Sequence, residues 1–469
     1  MKKNRQPYRG DLEPKREEVL SLPAFDPASL LFRLRERDPG MPLIHIDRER
    51  STGWSHVPVR IARIVEDREG DQLFDHPLLS APPEEGRPSP GREAEGGSPF
   101  SSGCVLLLPF EMAELWEPSG GPFSGPAVPA LRCDCPEVVS FHGPSGRLFV
   151  PAGFDRSLLA PVAFPPPSPL SFVAGESEAA FRRSLARIRQ GLLEGRYFQV
   201  NLARRFSAGL PAGFDPLAAY ARLRALGPSP FGGFFSWRGR FLLSRSPEQF
   251  LEAEGSRVVT RPIAGTAPGA APEGPDPLLG DPKLLAEHIM TVDLLRNDLG
   301  KVCRPGSVRV PRLLAVEPLP HLRHLVSDVE GRLAPGLSRS DLLRSLFPGG
   351  SVTGAPRIAV RREIGRLEGR PRNYYCGAFG SLSGGGRLDL ALLIRTLEGR
   401  LALPDGPGEA PIFGQGPGQS SRQESGQSHG QEGDGISFGA GAGIVADSVA
   451  EEEIREIALK ARTMEEVFR

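Results

Sequence analysis

The stretch FGGFFSWRGRFLLSRSPEQFLEAEGSRVVT, from Phe231 to Thr260, decides the fold class. It contains short runs of aromatic and aliphatic residues, separated by turn residues such as Gly239 and Gly255. Runs of this length with such turns between them are typical of β-strands joined by hairpins. Because helical patterns lie in separate stretches on either side, the sequence predicts an α+β fold with antiparallel sheets.

One predicted helix carries an unusual amount of charge. The stretch AEHIMTVDLLRNDLG, from Ala286 to Gly300, has apolar residues at helical spacing. On a helical wheel, His288 and Arg296 lie within the apolar stripe, and Glu287 and Asp298 lie together at its edge. Burying such groups costs several kcal/mol unless each has a partner. We therefore expect each of them to be paired, bound to a ligand or catalytic.

The C-terminal stretch DSVAEEEIREIALKARTMEEV, from Asp447 to Val467, predicts a second helix of this kind. Glu453, Glu456 and Lys460 recur at positions i, i+3 and i+7 on one face. Taken alone, such a row is most often a solvated face with an i,i+4 salt bridge. Two helices that each supply a Glu, here with Glu287, can instead bind a hard cation such as Mg²⁺ through oxygen ligands.

Three further places suit an anionic ligand. The stretch GAGAGIV (439–445) has backbone N–H groups that a carboxylate can approach closely, and LFPGGSVTGAPR (346–357) leads into a helix N-terminus. Arg395 stands alone in the apolar run LDLALLIRTL (388–397), a setting suited to a bidentate carboxylate contact. A buried structural salt bridge explains Arg395 equally well at this stage.

Composition excludes several classes of protein. The chain has 469 residues with 57 basic and 57 acidic side chains, so neither nucleic acid nor an anionic membrane is expected as the main partner. No segment approaches membrane-spanning length, and no apolar run follows the basic residues at the start, so we expect a cytoplasmic protein. The five cysteines are odd in number and scattered, which argues against a disulfide framework. The CDC triplet at 133–135 could hold a metal, but without a second pair we interpret it as incidental.

Two stretches have the composition of disordered inserts. Residues 80–103 and 404–435 are rich in Gly, Pro, Ser, Gln and Glu, and neither can bury enough apolar surface to offset chain entropy. The second lies between two strand-like runs (388–397 and 436–446), so we interpret it as an insert in a hairpin connection. Residues 1–165 have few periodic signals, whereas residues 166–469 have many.

Nine sequence blocks between about Phe172 and the C-terminus resemble those of the chorismate-utilising enzymes. This family includes the large subunits of anthranilate synthase and aminodeoxychorismate synthase, and also isochorismate and salicylate synthases. The N-terminal part matches weakly, with GCVLLLPFEMAELWEP (103–118) similar to the family's GYLSYE segment. In chain order the nine blocks are YFQVNLARRF, SRSPEQFLEAEG, RPIAGT, AEHIMTVDLLRNDLGKV, HLVSDVEG, FPGGSVTGAP, YYCGAFGSLS, LLIRT and GAGIVADS with EEEIREIALKA.

The resemblance implies an anthranilate synthase component I-like fold, with two antiparallel sheets and helices packed around them. Residues 166–469 would form the chorismate-binding catalytic region, and residues 1–165 the N-terminal region of a single catalytic unit. The resemblance also implies a Mg²⁺ site at Glu287 and Glu456, with Glu453 acting through water.

The same resemblance implies roles around the substrate. Glu248 matches the carboxyl group that protonates the departing C4 hydroxyl, and His324 matches the family's active-site histidine. His288 and Arg296 remain assigned to structural pairing. The residues that match positions at or near the substrate, several of them holding its carboxylates, are Ser351, Tyr375, Arg395, Gly441, Gly443 and Lys460.

Two positions bear on the type of reaction. Gln199 stands where isochorismate and salicylate synthases have a lysine that activates water, and glutamine cannot act as a base, so amination is favoured over water addition. Ala264 stands where some aminodeoxychorismate synthases have a lysine nucleophile, which excludes that covalent route here. Amination requires ammonia, which the resemblance assigns to a separate glutaminase subunit.

The resemblance favours an aminodeoxychorismate synthase over an anthranilate synthase. Asn201, Thr353 and Cys376 are closer to the former, whereas Ala264 is usual in the latter. LIHIDRERS (43–51) is the only counterpart of the tryptophan-feedback segment of anthranilate synthases. A catalytically inactive homologue kept as a binding or regulatory subunit is the third, remote hypothesis.

Overall fold

The computed structural model describes residues 17–48, 51–83, 98–227, 229–269, 276–319, 322–402 and 435–469. In this part of the chain the strands form two sheets. Within each sheet, neighbouring strands pair in antiparallel orientation. Helices pack on the sheets. The predicted α+β class with antiparallel sheets is therefore confirmed.

The first sheet has 12 strands, in the order β1-β8-β7-β3-β2-β11-β12-β21-β22-β10-β18, with β9 paired to β10. Its strands are β1 (Glu17–Ser21), β2 (Leu43–Arg48), β3 (Trp54–Arg60), β7 (Glu137–His142), β8 (Arg147–Pro151), β9 (Val173–Ala174), β10 (Gln199–Gly209), β11 (Phe231–Trp237), β12 (Arg240–Ser246), β18 (Gly354–Ala355), β21 (Thr396–Arg400) and β22 (Gly435–Ile444).

The second sheet has 10 strands, in the order β15-β17-β14-β13-β20-β19-β5-β6-β4, with β16 paired to β17. Its strands are β4 (Arg63–Asp67), β5 (Gly103–Leu108), β6 (Ala130–Cys135), β13 (Gln249–Glu254), β14 (Arg257–Arg261), β15 (Ile263–Pro268), β16 (Arg309–Leu319), β17 (Leu322–Arg332), β19 (Ala378–Ser383) and β20 (Leu388–Leu392).

Nine α-helices lie within the described residues, and none of them has an apolar stretch long enough to cross a membrane. They are α1 (Pro27–Arg37), α2 (Pro77–Ser80), α3 (Met112–Trp116), α4 (Glu178–Leu193), α5 (Pro216–Ala225), α6 (Pro282–Gly300), α7 (Arg339–Leu346), α8 (Arg357–Glu368) and α9 (Ala450–Glu465).

The stretch 231–260 forms two hairpins that lie in different sheets. Its first half is the β11–β12 hairpin of the first sheet, which turns at Arg238 and Gly239, both with positive φ. Its second half is the β13–β14 hairpin of the second sheet. The prediction of consecutive hairpins is confirmed, and the chain changes sheet between them.

The core has three layers of apolar contacts. One apolar cluster packs α1, α4, α5, α8 and α9 on the first sheet, and a second packs α6 and α7 on the second sheet. A third cluster lies between the sheets, with Ile44 and Phe235 from the first sheet against Leu107 and Phe379 from the second. Successive residues of a strand point to opposite faces. The strands near the middle of the molecule therefore bury both of their faces.

Strands from both predicted regions share both sheets. In the first sheet β2 pairs with β11, and in the second β5 pairs with β19. Most of the predicted insert 80–103 lies outside the described residues, but its last residues belong to the fold because Phe100 is buried against His56. The predicted insert 404–435 also lies outside them, apart from Gly435, and the strands that flank it, β21 and β22, pair as the hairpin interpretation required.

The charged groups of α6 have different environments. His288 is buried and its Nε2 lies 2.7 Å from the Ser327 hydroxyl, which confirms the structural assignment. Asp298 is also buried and accepts hydrogen bonds from Arg357 (3.2 Å) and Lys301 (2.8 Å). The placement of Arg296 in the apolar stripe was wrong, because its exposed side chain pairs with Asp293 on the same helix.

Candidate active site

The chain crosses between the two sheets at two neighbouring places, 246–249 and 392–396, which we call the double crossover. The two segments are hydrogen-bonded to each other. The Leu392 amide donates to the Glu248 carbonyl (3.1 Å), the Arg245 amide donates to the Arg395 carbonyl (3.0 Å), and the Ser246 hydroxyl donates to the Leu392 carbonyl (2.5 Å). The double crossover therefore fixes Glu248 and Arg395 close to each other at the seam of the sheets.

The predicted single strand at 388–397 is wrong. It forms two strands, β20 and β21, which lie in different sheets and are separated by Arg395 with a φ of 47°. A left-handed conformation is uncommon for a side chain other than Gly or Asn, and it ends the strand. Arg395 thus lies at a kink between β20 and β21, outside both strands.

The kink leaves one edge of β22 without a strand partner. Pairing with β21 ends where Leu397 faces Phe438, so in the described chain residues 439–444 have a strand only on the β10 side. We call residues 439–444 the open edge. Such an edge presents unpaired backbone donors and acceptors.

Two glycine amides point out of the open edge. The Lys460 Nζ donates to the Gly441 carbonyl (2.8 Å), so this carbonyl faces away from β10. In an antiparallel strand the N–H and C=O of one residue point to the same side, and this side alternates along the strand. The N–H groups of Gly441 and Gly443 therefore face the same space as Lys460.

The glycines of β22 also make room for neighbouring side chains. A Cβ at Gly439 would lie 2.4 Å from the Tyr375 ring, and one at Gly443 would lie 2.6 Å from Nε2 of Gln199. Larger residues would displace both side chains. Tyr375 and Gln199 therefore lie against the open edge.

Arg395 has a shielded guanidinium without a carboxylate. Burial, and next the charge of Arg245, lower the pKa of Arg395. Within the residues that the structure describes, no acidic side chain pairs with it. The described residues therefore do not support the interpretation of Arg395 as part of a structural salt bridge. A cation shielded from solvent still needs a counter-ion. A bound carboxylate would provide one.

His324 is the neighbour of Arg395 on the second sheet. Its Nδ1 lies 3.3 Å from the Gly265 carbonyl, at a bulge where β15 pairs with β17. Burial lowers the pKa of His324, and the Arg395 charge lowers it further. The imidazole is therefore neutral near pH 7. Ala264, beside Gly265 on β15, has no side chain that could act as a nucleophile.

Glu248 is a buried carboxyl group held by one hydroxyl. Ser351 donates a hydrogen bond to Glu248 Oε1 at 2.6 Å. Burial raises the pKa of Glu248 to about 7, although the Ser351 hydrogen bond and the Lys460 charge both lower it. A group with this pKa is partly protonated at neutral pH, which is the condition that general acid catalysis requires.

A group of carboxylates lies where α6 faces α9. Burial raises the pKa of Glu287 to about 7, and the charges of Glu453 and Glu456 raise it further. Glu453 is buried, whereas Glu456 is half exposed and pairs with Lys460 at 2.5 Å. Lys460 therefore connects the carboxylates to the open edge.

Sequence reasoning missed Lys283, which lies among these carboxylates. Its Nζ is 3.2 Å from Glu453 Oε1, 3.9 Å from Glu287 Oε1 and 4.0 Å from Glu452 Oε2. The glutamates offer the oxygen ligands that hard divalent cations prefer, so these residues fit such a cation. Lys283 supplies positive charge at the same place. A lysine at the start of an amphipathic helix gives no sequence signal of this role.

Glu111 is a second residue that the sequence did not reveal. This buried carboxylate accepts hydrogen bonds from the amides of Arg372 (2.6 Å) and Asn373 (3.1 Å). These amides precede Tyr375, whose ring lies beside the Arg372 guanidinium. The N-terminal region thus helps to place Tyr375, and the only sequence signal was the weak match at 103–118.

Comparison with known proteins identifies the family of this chain. The family described as chorismate binding enzyme matches residues 159–401 and 427–466. Anthranilate synthase component 1 of Streptomyces coelicolor is 39% identical over 337 residues, which are 70% of this chain and 58% of that protein. Aminodeoxychorismate synthase component 1 of Klebsiella aerogenes is 40% identical over 265 residues, which are 55% of this chain and 57% of that protein.

The chain thus matches less than two thirds of the length of these relatives. The crystal structure of anthranilate synthase component I from Streptococcus pneumoniae superposes with a TM-score of 0.65 and 25% identity, over 98% of this chain and 95% of that one. The expected fold is therefore confirmed. Together with the family match over more than half of the sequence, it establishes that the chain belongs to the chorismate binding enzyme family.

Proposed function

We propose that this chain is the chorismate-aminating component of an aminodeoxychorismate synthase, which replaces the C4 hydroxyl of chorismate with an amino group. The observation that carries the proposal is Glu248, a buried carboxyl group whose pKa is about 7, on one segment of the double crossover, with Arg395 on the other segment and no acidic partner for Arg395 among the described residues. The first can supply a proton and the second can bind a carboxylate. Chorismate has both a leaving hydroxyl and two carboxylates.

Substrate binding is assigned to the double crossover and the open edge. Arg395 offers two parallel N–H donors to one carboxylate. Lys460 and the amides of Gly441 and Gly443 face a common space and suit another carboxylate. Tyr375 packs against Gly439 and limits this space on one side.

The proton for the leaving hydroxyl is assigned to Glu248. In its protonated form Glu248 donates to the C4 oxygen as the C–O bond breaks, so that the hydroxyl leaves as water. Burial keeps the acid form populated near neutral pH, and Ser351 fixes its orientation. His324 is neutral and lies beside Arg395, where it can donate or accept a hydrogen bond to the substrate.

The proposal includes Mg²⁺ as cofactor, held by Glu287 and Glu456, with Glu453 acting directly or through water. When bound, the ion would neutralise substrate carboxylate charge and polarise the leaving group. The carboxylates of α6 and α9 support this assignment, since their oxygens suit a hard cation and Lys460 joins them to the open edge.

The nucleophile is proposed to be ammonia. Gln199 lies against Gly443 but its amide cannot accept a proton from water, which disfavours hydration. Ala264 offers no amine for a covalent intermediate. Ammonia would come from a separate glutaminase subunit, an assignment that the name component 1 of the relatives supports. The reaction would belong to folate synthesis, in the cytoplasm.

The resemblance of Asn201, Thr353 and Cys376 to aminodeoxychorismate synthases favours amination at C4 over the alternative reaction. The Asn201 Nδ2 lies 3.4 Å from the Ser351 carbonyl, so the residue borders the hydroxyl that orients Glu248. The second candidate is an anthranilate synthase component, which would aminate C2 and release pyruvate. Ala264 and the relatives of that name favour this candidate.

A product assay separates the two functions. Purified chain, chorismate, Mg²⁺ and ammonium at mildly alkaline pH should yield an aminated chorismate without fluorescence, because the enolpyruvyl group is retained. Mass spectrometry and anthranilate fluorescence measure the two products. Fluorescent anthranilate with pyruvate would contradict the proposal and establish the second candidate, and a chain that binds chorismate without turnover would be the inactive homologue.

The acid role of Glu248 predicts a pH dependence. Because the protonated form is active, kcat at saturating Mg²⁺ should fall as pH rises above about 7. Free ammonia must be held constant across the series, since its own ionisation changes with pH. Glu248→Gln should lower kcat by at least about 100-fold, the usual contribution of such an acid, while chorismate still binds. Glu252→Gln, on the strand that follows Glu248, is the matched control, and unchanged turnover of Glu248→Gln would refute the role.

The position of Lys283 among the carboxylates predicts that its charge lowers the affinity of the site for a divalent cation. A unit charge about 4 Å from a carboxylate interacts by about 4 kcal/mol near a protein surface, so Lys283 and a cation compete for the same oxygens. Lys283→Met should therefore bind Mn²⁺, a spin probe for Mg²⁺, about tenfold more tightly, as measured by electron paramagnetic resonance. Arg296→Met removes a charge elsewhere on the same helix and should leave the affinity unchanged. Weaker binding by Lys283→Met would mean that Lys283 supports the ion.

A further inference from the structure

A second group of metal-binding side chains lies in the N-terminal region. Cys104 of β5 and Asp134 of β6 face each other directly in the strand register. His76, the residue before α2, covers the same face of the sheet. One ligand atom of each residue lies within 4.8 Å of those of the other two, and the three residues are 0–2% exposed.

Two polar atoms of this group have no hydrogen-bond partner in the described chain. They are Nε2 of His76 and Oδ2 of Asp134, and both are inaccessible to solvent. The other Asp134 oxygen accepts a hydrogen bond from Arg132 Nε at 2.9 Å, so only one of the two carboxylate oxygens has a partner. Buried polar atoms almost always have a partner, so two atoms without one, on residues that surround a buried thiol, indicate a missing ligand.

The donor set identifies the class of ligand. Sulfur, imidazole nitrogen and one carboxylate oxygen are the combination that Zn²⁺ accepts, whereas Mg²⁺ and Ca²⁺ prefer oxygen alone. A tetrahedral Zn²⁺ holds such atoms about 3.5 Å apart, so the present group has to contract. His76 can move for this purpose, because it lies in a connection and not in a strand.

We propose that His76, Cys104 and Asp134 bind one Zn²⁺ ion, which fastens the segment before α2 to the second sheet. The site is separate from the glutamates of α6 and α9 and has no part in the proposed reaction. Arg132 supports it, since its guanidinium pairs with Asp134 and donates to the Leu73 carbonyl (2.7 Å) in the same segment.

Zinc binding at this group releases one proton. Burial raises the pKa of the Cys104 thiol far above its usual range, so the metal-free residue is protonated, and binding releases this one proton as the sulfur–zinc bond forms. His76 binds through Nε2, and its ring proton moves to Nδ1. Protonation of Nδ1 removes the acceptor of the long hydrogen bond (3.3 Å) that the Leu78 amide donates to it.

Cys133 provides a matched control. It lies next to Asp134 on β6 but points to the opposite face, into the apolar cluster between the sheets. The CDC triplet therefore contributes its aspartate to the group and neither of its cysteines. Cys104→Ala and Cys133→Ala remove the same atoms from paired strands, and only the first removes a ligand.

The test uses the full chain, purified after expression with zinc and dialysed against a weak chelator. Elemental analysis should find about one zinc per chain in the wild type and in Cys133→Ala, and none in Cys104→Ala. Cobalt substitution should give a thiolate-to-metal charge-transfer band, which the all-oxygen glutamate group cannot produce. His76→Gln, which leaves both strands intact, should also lose the ion.

Removal of zinc should lower the Tm of the wild type and leave that of His76→Gln unchanged. Absence of both zinc and the cobalt–thiolate band from a folded wild-type chain would overturn the proposal. Zinc retained by Cys104→Ala and His76→Gln would also overturn it, since the ion would then lie elsewhere.

Discussion

The architecture of the site depends on the double crossover between the two sheets. Segment 246–249 leads from the first sheet to the second, and segment 392–396 leads back from the second to the first. The two segments lie side by side and are hydrogen-bonded to each other. Backbone groups at a sheet seam need partners, and here each crossover satisfies the other. The left-handed Arg395, which directly precedes β21, also leaves β22 with its open edge. One backbone feature therefore places the acid, the arginine and the glycine amides together.

The site is organised around charges that the protein leaves without their usual partners. Arg395 lacks a carboxylate among the described residues, and Glu248 faces a hydroxyl and not a base. The glutamates of α6 and α9 repel one another and are balanced by Lys283 and Lys460. Such an arrangement is unfavourable in the free protein and becomes favourable when ligands supply the missing charges. This is the physical reason to regard it as a binding site.

The sequence was sufficient for much of the local structure. Turn residues between apolar runs predicted the hairpins of 231–260, and apolar residues at helical spacing predicted α6. It was not sufficient where a single backbone angle decides the path, since no turn residue in the run 388–397 marks the kink at Arg395. Side chains that act only through distant contacts, such as Lys283, Glu111 and the group at His76, also gave no periodic signal. Wheel position alone misplaced Arg296, which lies at the surface.

The central claim is that Arg395 binds a carboxylate of the substrate. The most direct measurement is the affinity of chorismate for the wild type and for Arg395→Gln, by isothermal titration with Mg²⁺ and without ammonia. Loss of a bidentate, charge-assisted contact should weaken binding by about 100-fold, or about 2.7 kcal/mol. Arg387→Gln, on a hairpin away from the site, should bind like the wild type. Equal affinity of Arg395→Gln and the wild type would contradict the account.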